Sequence, residues 1–109
     1  MIISSHLCLL TDGSFAHFPI AEVDDVTGVV VSLRLCPEGL EEIGGMTFVG
    51  GVMLCGVPSN VSGVTCSGRD DFARQMAAYG VMPGHGPVCV MRGADLNTFC
   101  GSFVKQSKF

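Results

Sequence analysis

The sequence predicts a single α+β domain over residues 1–109, in which one antiparallel β-sheet packs against two helices. Three observations lead to this fold class. Several short apolar segments, each followed by a turn, are typical of consecutive antiparallel strands. An Asp-Gly pair between two such segments is typical of a β-hairpin. Two further segments repeat their apolar residues near the period of an α-helix.

The first hairpin joins a strand at Ile2–Leu10 to a return strand at Phe15–Phe18 through Asp12 and Gly13. The next segment, Ile20–Leu35, permits two interpretations. Its apolar spacing fits a helix, and so do the acids near its start, because acids stabilise the positive end of a helix dipole. Its run of three valines and the glycine before them favour a strand. We expect a helix that runs into the valines.

The rest of the chain is expected to alternate strands and turns before a second helix. Met46–Val57 is predicted to be a strand with an interruption at its paired glycines. Phe72–Val81 fits either a helix or a buried strand. Val88–Val104 is expected to be an amphipathic helix, because its apolar residues recur near the helical period. The remaining expectations are a turn at 36–39, a linker at 40–45, a short strand at Val61–Cys66 and an irregular loop at 82–87.

Composition and charge limit the partners of the chain. Apolar residues make up 48% and charged residues 15%, which predicts a folded domain and not a disordered one. No apolar run approaches the ~20 residues that span a bilayer, and the start lacks the charged region of a secretory leader. We therefore expect a cytoplasmic protein without a membrane span. The net charge of −4, with no cluster of bases, argues against nucleic acid and phosphoinositide headgroups.

Candidate catalytic residues are few. The six cysteines have no metal-ligand spacing, and most lie inside apolar runs, which is typical of packed thiols. Neither a nucleophile motif nor a phosphate-binding loop occurs, so we expect no metal, no cofactor and no enzymatic activity. A small thiol enzyme that uses Cys89 with the nearby His85 is the catalytic alternative.

The segment Pro83–Pro87 is the most informative local feature, because two prolines and two glycines surround one histidine. Such a loop presents His85 on a stiff support, and loops on rigid scaffolds often bind partners. The alternative is a simple connection between two elements.

Four stretches, taken in order, resemble the profilins, a family of small proteins that bind actin monomers. They cover most of the chain, and it is their order and spacing that carry the resemblance. The stretches are LCLLTDGSFAHF at Leu7–Phe18, FPIAEVDDVTGVV at Phe18–Val30, MTFVGGVMLC at Met46–Cys55 and YGVMPGHGPVCVMRGADLNTF at Tyr79–Phe99.

The resemblance implies a profilin-like fold and a cytoplasmic, cytoskeletal protein that binds actin monomers and regulates their assembly. In that family the contact involves the last strands and the start of the C-terminal helix. The residues implied in the actin contact are Arg69, Arg74, His85, Gly86, Val88, Met91 and Asp95.

Two features depart from the profilin pattern: the first helix with its Trp is missing, and the region between Val57 and Phe72 is shorter than the family's usual pair of strands. The family begins with a helix whose Trp helps to form an aromatic groove for polyproline, but this chain has no Trp and reaches its hairpin turn at Asp12. The implied groove is reduced to Phe99 and Phe103, so proline-rich partners are expected to bind weakly or not at all. A missing helix would also bare one face of the sheet. The alternative function is therefore a profilin-like or roadblock-like scaffold or adaptor that acts through dimerisation.

Overall fold

The computed structural model describes residues 1–36 and 44–109. The predicted turn at 36–39 and linker at 40–45 lie outside these residues, except at their described ends. The described elements are the strands β1 (Ile2–Ser4), β2 (Leu7–Leu9), β3 (Phe15–His17), β4 (Pro19–Val23), β5 (Val30–Leu35), β6 (Met46–Phe48), β7 (Val52–Cys55), β8 (Gly63–Ser67), β9 (Val88–Arg92) and β10 (Cys100–Gln106), with helix α1 (Arg69–Met76) and a 3-10 turn (Ala77–Tyr79).

Two sheets form the body of the domain. The first has four strands in the order β5-β4-β1-β6, and the second has six in the order β3-β2-β7-β9-β10-β8. Neighbouring strands are antiparallel except for the pairs β1–β6 and β2–β7, which are parallel.

Three stretches of chain pass directly from one sheet to the other: β1 into β2, β3 into β4, and β6 into β7. Backbone hydrogen bonds tie these crossings together. Phe18 N–H donates to His6 O at 3.0 Å, and Leu7 N–H donates to Gly51 O at 3.1 Å. The crossings therefore form one bent ladder, the arrangement by which strands turn a corner between packed sheets.

The six-stranded sheet is the central layer, and its side chains enter two cores in alternation. Leu7 and Leu9 lie in the helix-side core under α1, whereas Cys8 lies in the inter-sheet core. This alternation is the period of two that a strand imposes. The helix-side core comprises Leu7, Leu9, Val52, Leu54, Cys66, Phe72, Met76, Cys89, Met91, Phe99 and Phe103. The inter-sheet core comprises Ile3, Cys8, Ala21, Val23, Val30, Met53, Cys55, Val81 and Val88.

The structure confirms the α+β class only in its coarse form, because two sheets and one short helix replace the expected one sheet and two helices. The predicted hairpin is confirmed at its turn, with Leu7 opposite His17 and Leu9 opposite Phe15. The single strand predicted at Ile2–Leu10 is wrong, because the segment is divided into β1 and β2, which lie in different sheets. The predicted strand at Met46–Val57 is divided into β6 and β7, which lie in different sheets, and its interruption falls at the paired glycines as expected.

The expected helix at Ile20–Leu35 is wrong, because this segment forms the antiparallel pair β4 and β5. The acids that suggested a helix start form a turn instead. One oxygen of Asp24 accepts hydrogen bonds from the backbone N–H groups of Val26 and Thr27, both at 2.8 Å. Gly28 then adopts a φ of +72°, which suits glycine and reverses the chain.

The expected helix at Val88–Val104 is also wrong, because the segment forms β9 and β10. Residues Val88–Met91 are all buried, since one face of β9 meets the helix-side core and the other meets the inter-sheet core. A strand covered on both faces carries a continuous apolar run, and its spacing matches a helix by chance.

The ambiguous segment Phe72–Val81 is helical through Met76 and then continues as the 3-10 turn, so the buried-strand alternative is wrong. Phe72 and Met76, four residues apart, face the helix-side core. Among the described residues, no helix is long and apolar enough to cross a membrane.

Candidate functional site

The loop at residues 82–87 is fixed to the body of the domain by backbone hydrogen bonds. Gly84 N–H donates to Val30 O at 2.9 Å, which ties the loop to β5. Gly56 N–H donates to Pro87 O at 2.9 Å, which ties it to the end of β7. Within the loop, His85 N–H donates to Met82 O at 3.0 Å. These hydrogen bonds therefore hold the loop in a fixed position against β5 and β7.

Two glycines permit this close docking. A Cβ at Gly86 would lie 2.9 Å from the Cα of Gly56, and a Cβ at Gly56 would lie 2.8 Å from the carbonyl oxygen of His85. Both glycines also have positive φ angles, of 91° and 76°. Side chains at these positions would push the loop away from β7. Glycine at both positions therefore allows His85 to lie where it does.

Three exposed apolar side chains lie on the segments around this loop. Val26, Val31 and Met82 are 94%, 60% and 45% exposed. The segments that carry them are joined, because Val29 and Pro87 form an isolated antiparallel bridge and the carbonyl of Gly28 accepts a hydrogen bond from Val88 N–H at 2.8 Å. We use the name loop surface for Val26, Val31, Met82 and His85 together. Exposed apolar side chains on neighbouring, rigid segments are typical of protein contacts.

An acidic turn borders the loop surface. The backbone N–H groups of Thr27 and Val26 hold the pKa of Asp24 below its ordinary value, so this exposed carboxylate stays ionised near neutral pH. Its neighbour Asp25 is also exposed and forms an ion pair with the N-terminal ammonium of Met1 at 3.2 Å. The loop surface therefore combines apolar side chains with the exposed carboxylate of Asp24 at its border.

His85 is half-buried, and its Nε2 lies 3.3 Å from the carbonyl oxygen of Ala78. Cys89, the thiol that a catalytic pair with His85 would use, is 3% exposed and lies in the helix-side core. Burial raises the pKa of Cys89 to about 12, which keeps the group protonated near neutral pH. Because the thiolate is the nucleophile of a thiol enzyme, Cys89 is not activated for that role.

The residues implied in an actin contact are dispersed. His85 and Gly86 lie together in the loop, but Val88 and Met91 are buried at 3% and 0% exposure. Asp95 is exposed in the turn between β9 and β10, where its carboxylate accepts a hydrogen bond from Asn97 N–H at 2.7 Å.

The two arginines of that set lie on α1. The guanidinium of Arg69 lies 5.0 Å from the ring centre of Phe15 and 5.1 Å from that of Phe99. Arg74 forms an ion pair with Asp71 one turn earlier in the same helix. Both arginines are exposed, yet each already has a partner within the chain.

Phe99 and Phe103, the residues implied in polyproline binding, are 0% and 1% exposed. Their rings pack against Phe72, with ring centres 5.3 and 5.0 Å away. They belong to the helix-side core and offer no surface to a proline-rich ligand. The expected groove was placed on the wrong residues, because the segment that carries them is a turn and a strand rather than a helix.

Sequence reasoning identified the loop but missed its apolar neighbours. Val26 follows two acids, and Val31 ends a valine run, so neither stands out as a surface residue. Their segments join the loop through long-range bonds, from Gly84 N–H to Val30 O and from Val88 N–H to Gly28 O.

Within residues 1–36 and 44–109, no cluster of three or more His, Cys, Asp or Glu side chains could hold a metal ion. Comparison of the chain with models of protein families, with characterised proteins and with solved structures finds no match.

Proposed function

We propose that this chain is a non-catalytic protein-binding domain that works as an adaptor, and that it contacts its partner through the loop surface. The observation that carries this proposal is that Val26, Val31 and Met82 are exposed on segments that backbone hydrogen bonds tie to the loop of His85. A rigid apolar patch with a charged border is the usual composition of a protein contact, in which the centre excludes water and the border sets orientation.

The partner proposed first is monomeric actin. The support for it is the resemblance of the stretch at Tyr79–Phe99 to the profilins, in which His85 and Gly86 take the place of a family contact. These two residues lie in the supported loop and retain accessible surface. Such an adaptor acts in the cytoplasm, at the actin cytoskeleton.

The second candidate is self-association, as in a scaffold that acts through dimerisation. The three exposed apolar side chains favour it, because a second copy would remove them from water. In a two-fold dimer each loop surface meets its own copy, so the acidic turns at Asp24 and Asp25 approach one another. Salt screens that repulsion, so self-association should strengthen as the salt concentration rises.

Sedimentation velocity with and without monomeric actin tests both candidates. We compare the double variant Val31→Ser/Met82→Ser with Phe48→Ser, because Phe48 is 41% exposed but lies on β6, at the opposite edge of the four-stranded sheet from β5. The proposal predicts a complex with actin or a dimer, either of which the double variant weakens at least about tenfold, given roughly 0.8 kcal/mol per buried CH₂ group. Phe48→Ser should bind as the natural chain does.

Two results would contradict the proposal. One is that the natural chain stays monomeric and also fails to bind actin. The other is that Phe48→Ser weakens association as much as the double variant does, which would mean that the loop surface is not the contact.

A further inference from the structure

A second surface lies along the pair β9 and β10 and the residues that follow β10. It is an open cleft of about 600 Å³ lined by Arg92, Gly93, Val104, Lys105, Gln106, Ser107 and Lys108. Three of the six basic residues of the chain line it, and none of its lining residues is acidic. In a chain of net charge −4, this is a local concentration of positive charge.

The floor of the cleft combines a cation with an apolar side chain. Arg92 and Val104 are directly opposite one another across the antiparallel pair, so they point to the same face of the sheet. Val104 is 63% exposed. One nitrogen of the Arg92 guanidinium donates to Oε1 of Gln106 at 2.6 Å, which orients the group and leaves its other donors available.

The two lysines have different roles. Lys105 donates its ammonium to the carbonyl oxygen of Pro58 at 2.9 Å, so its charge is already held by the chain. The Lys108 ammonium makes no hydrogen bond or ion pair with any residue in the described parts of the chain. Lys108 lines the cleft and also a neighbouring pocket to which Asp24 and Asp25 contribute. Arg92 and Lys108 are thus the cations that the cleft offers to a ligand.

The other cations near α1 contrast with these two. Arg74 is paired with Asp71, and Arg69 lies over the rings of Phe15 and Phe99. On the helix side Arg74 is therefore paired with a carboxylate, whereas neither Arg92 nor Lys108 forms an ion pair with a described residue.

We propose that this cleft binds an acidic peptide segment of a partner protein in an extended conformation. Arg92 is opposite Val104, and Lys108 follows Val104 by four residues, so the two cations are spaced along the chain and an extended ligand can meet both. An extended chain places successive side chains on one face about 7 Å apart, which lets an apolar residue cover Val104 while carboxylates face Arg92 and Lys108. Recognition of acidic segments by basic side chains is a recurring mode of peptide binding.

The test uses a fluorescein-labelled peptide of alternating Glu and Val residues and measures anisotropy at low and at physiological salt. A peptide with Gln in place of each Glu is the matched control ligand. We expect the Glu peptide to bind more tightly than the Gln peptide, and its affinity to fall as salt rises. Arg92→Gln and Lys108→Gln should each weaken binding about two- to fivefold, the range that exposed ion pairs contribute.

Arg74→Gln is the control for charge, and Val31→Ser/Met82→Ser is the control for the loop surface; neither should change the affinity for the Glu peptide. Equal binding of the Glu and Gln peptides, or an equal effect of Arg74→Gln, would overturn the proposal. So would a single-stranded oligonucleotide that binds the cleft as tightly as the Glu peptide, because the surface would then be a general polyanion site. Since the two surfaces have separate variants, failure here is distinguishable from failure of the proposed function.

Discussion

The carboxylate of Asp71 on α1 accepts a hydrogen bond from the backbone N–H of Ser67 at 2.9 Å, on the outermost strand of the six-stranded sheet. One turn further along the helix, Gln75 donates its amide to the carbonyl oxygen of Thr65 at 3.0 Å. The short helix therefore supplies partners to the open edge of β8. Covering an edge in this way discourages pairing with other chains.

Replacement of Asp71 tests this contact. Asp71→Ala removes the acceptor of Ser67 N–H and of the Arg74 and Gln75 side chains, so we expect a lower midpoint of urea unfolding. The exposed neighbour Asp70 is the matched control, and Asp70→Ala should leave the midpoint nearly unchanged. Equal midpoints for the two variants would contradict the role given to Asp71.

The same contact predicts a dependence on pH. The pKa of Asp71 is held below its ordinary value, mainly by the hydrogen bond from Ser67 N–H. A carboxyl whose pKa is lower in the folded state stabilises that state fully above its unfolded value of about 4 and loses this effect as the pH falls through the folded value. The stability difference between the natural chain and Asp71→Ala should be constant at neutral pH and should shrink below about pH 4. A difference that grows on acidification would contradict this account.

Gly51 is a position at which any side chain should damage the bent ladder. A Cβ there would lie 2.2 Å from the carbonyl oxygen of Met91, and its φ is +143°. We expect Gly51→Ala to lower the free energy of unfolding by at least about 2 kcal/mol, since both backbone clash and an unfavourable φ contribute. Gly44 has nothing within 4 Å of its Cβ position, so Gly44→Ala is the control and should change thermal unfolding little.

Phe103 should behave as a core residue. It is 1% exposed and packs against Phe72 and Phe99, so Phe103→Ala should cost about 3–5 kcal/mol of unfolding free energy. Phe48 is 41% exposed and provides a control of the same residue type, whose replacement by Ala should cost much less. Chemical denaturation of both variants measures the difference. If Phe103→Ala left stability intact and reduced polyproline binding, the ring would be a surface residue after all.

The cysteines should differ sharply in reactivity. Burial raises the pKa of Cys8 and Cys89 to about 12 and that of Cys55 to about 11, whereas Cys100 is exposed. We expect iodoacetamide to modify Cys100 first in the folded chain, and Cys100→Ser to remove the fast phase seen by mass spectrometry. Fast modification of Cys89 in the native state would revive the thiol-enzyme alternative.

The parts of the fold that follow from local chemistry could be predicted from the sequence. The hairpin between Leu7 and His17 depends on an Asp-Gly turn between apolar segments, and both features are adjacent in the sequence. The continuous apolar run of β9 could not be assigned in the same way, because a strand buried on both faces has no period of its own. Because a helix was expected there, Phe99 and Phe103 were expected at the surface, whereas both are buried.

The acids at Asp24 and Asp25 show a second limit. Acidic residues occur both in the first turn of a helix and in turns that a side chain closes, and only the bonds from Val26 and Thr27 decide between them. For the candidate site, the loop around His85 could be predicted from its glycines and prolines. The neighbours Val26 and Val31 could not, because β5 reaches the loop through contacts between distant parts of the chain.

Hydrogen exchange of the chain, measured by mass spectrometry with and without monomeric actin and over a range of chain concentrations, tests the central claim most directly. The account predicts slower exchange at residues 26–31 and 82–87 when a complex forms, with α1 and β8 unchanged. A complex whose protected amides lie on α1 or β8 and not in those two segments would contradict it, as would no change at either segment under any condition.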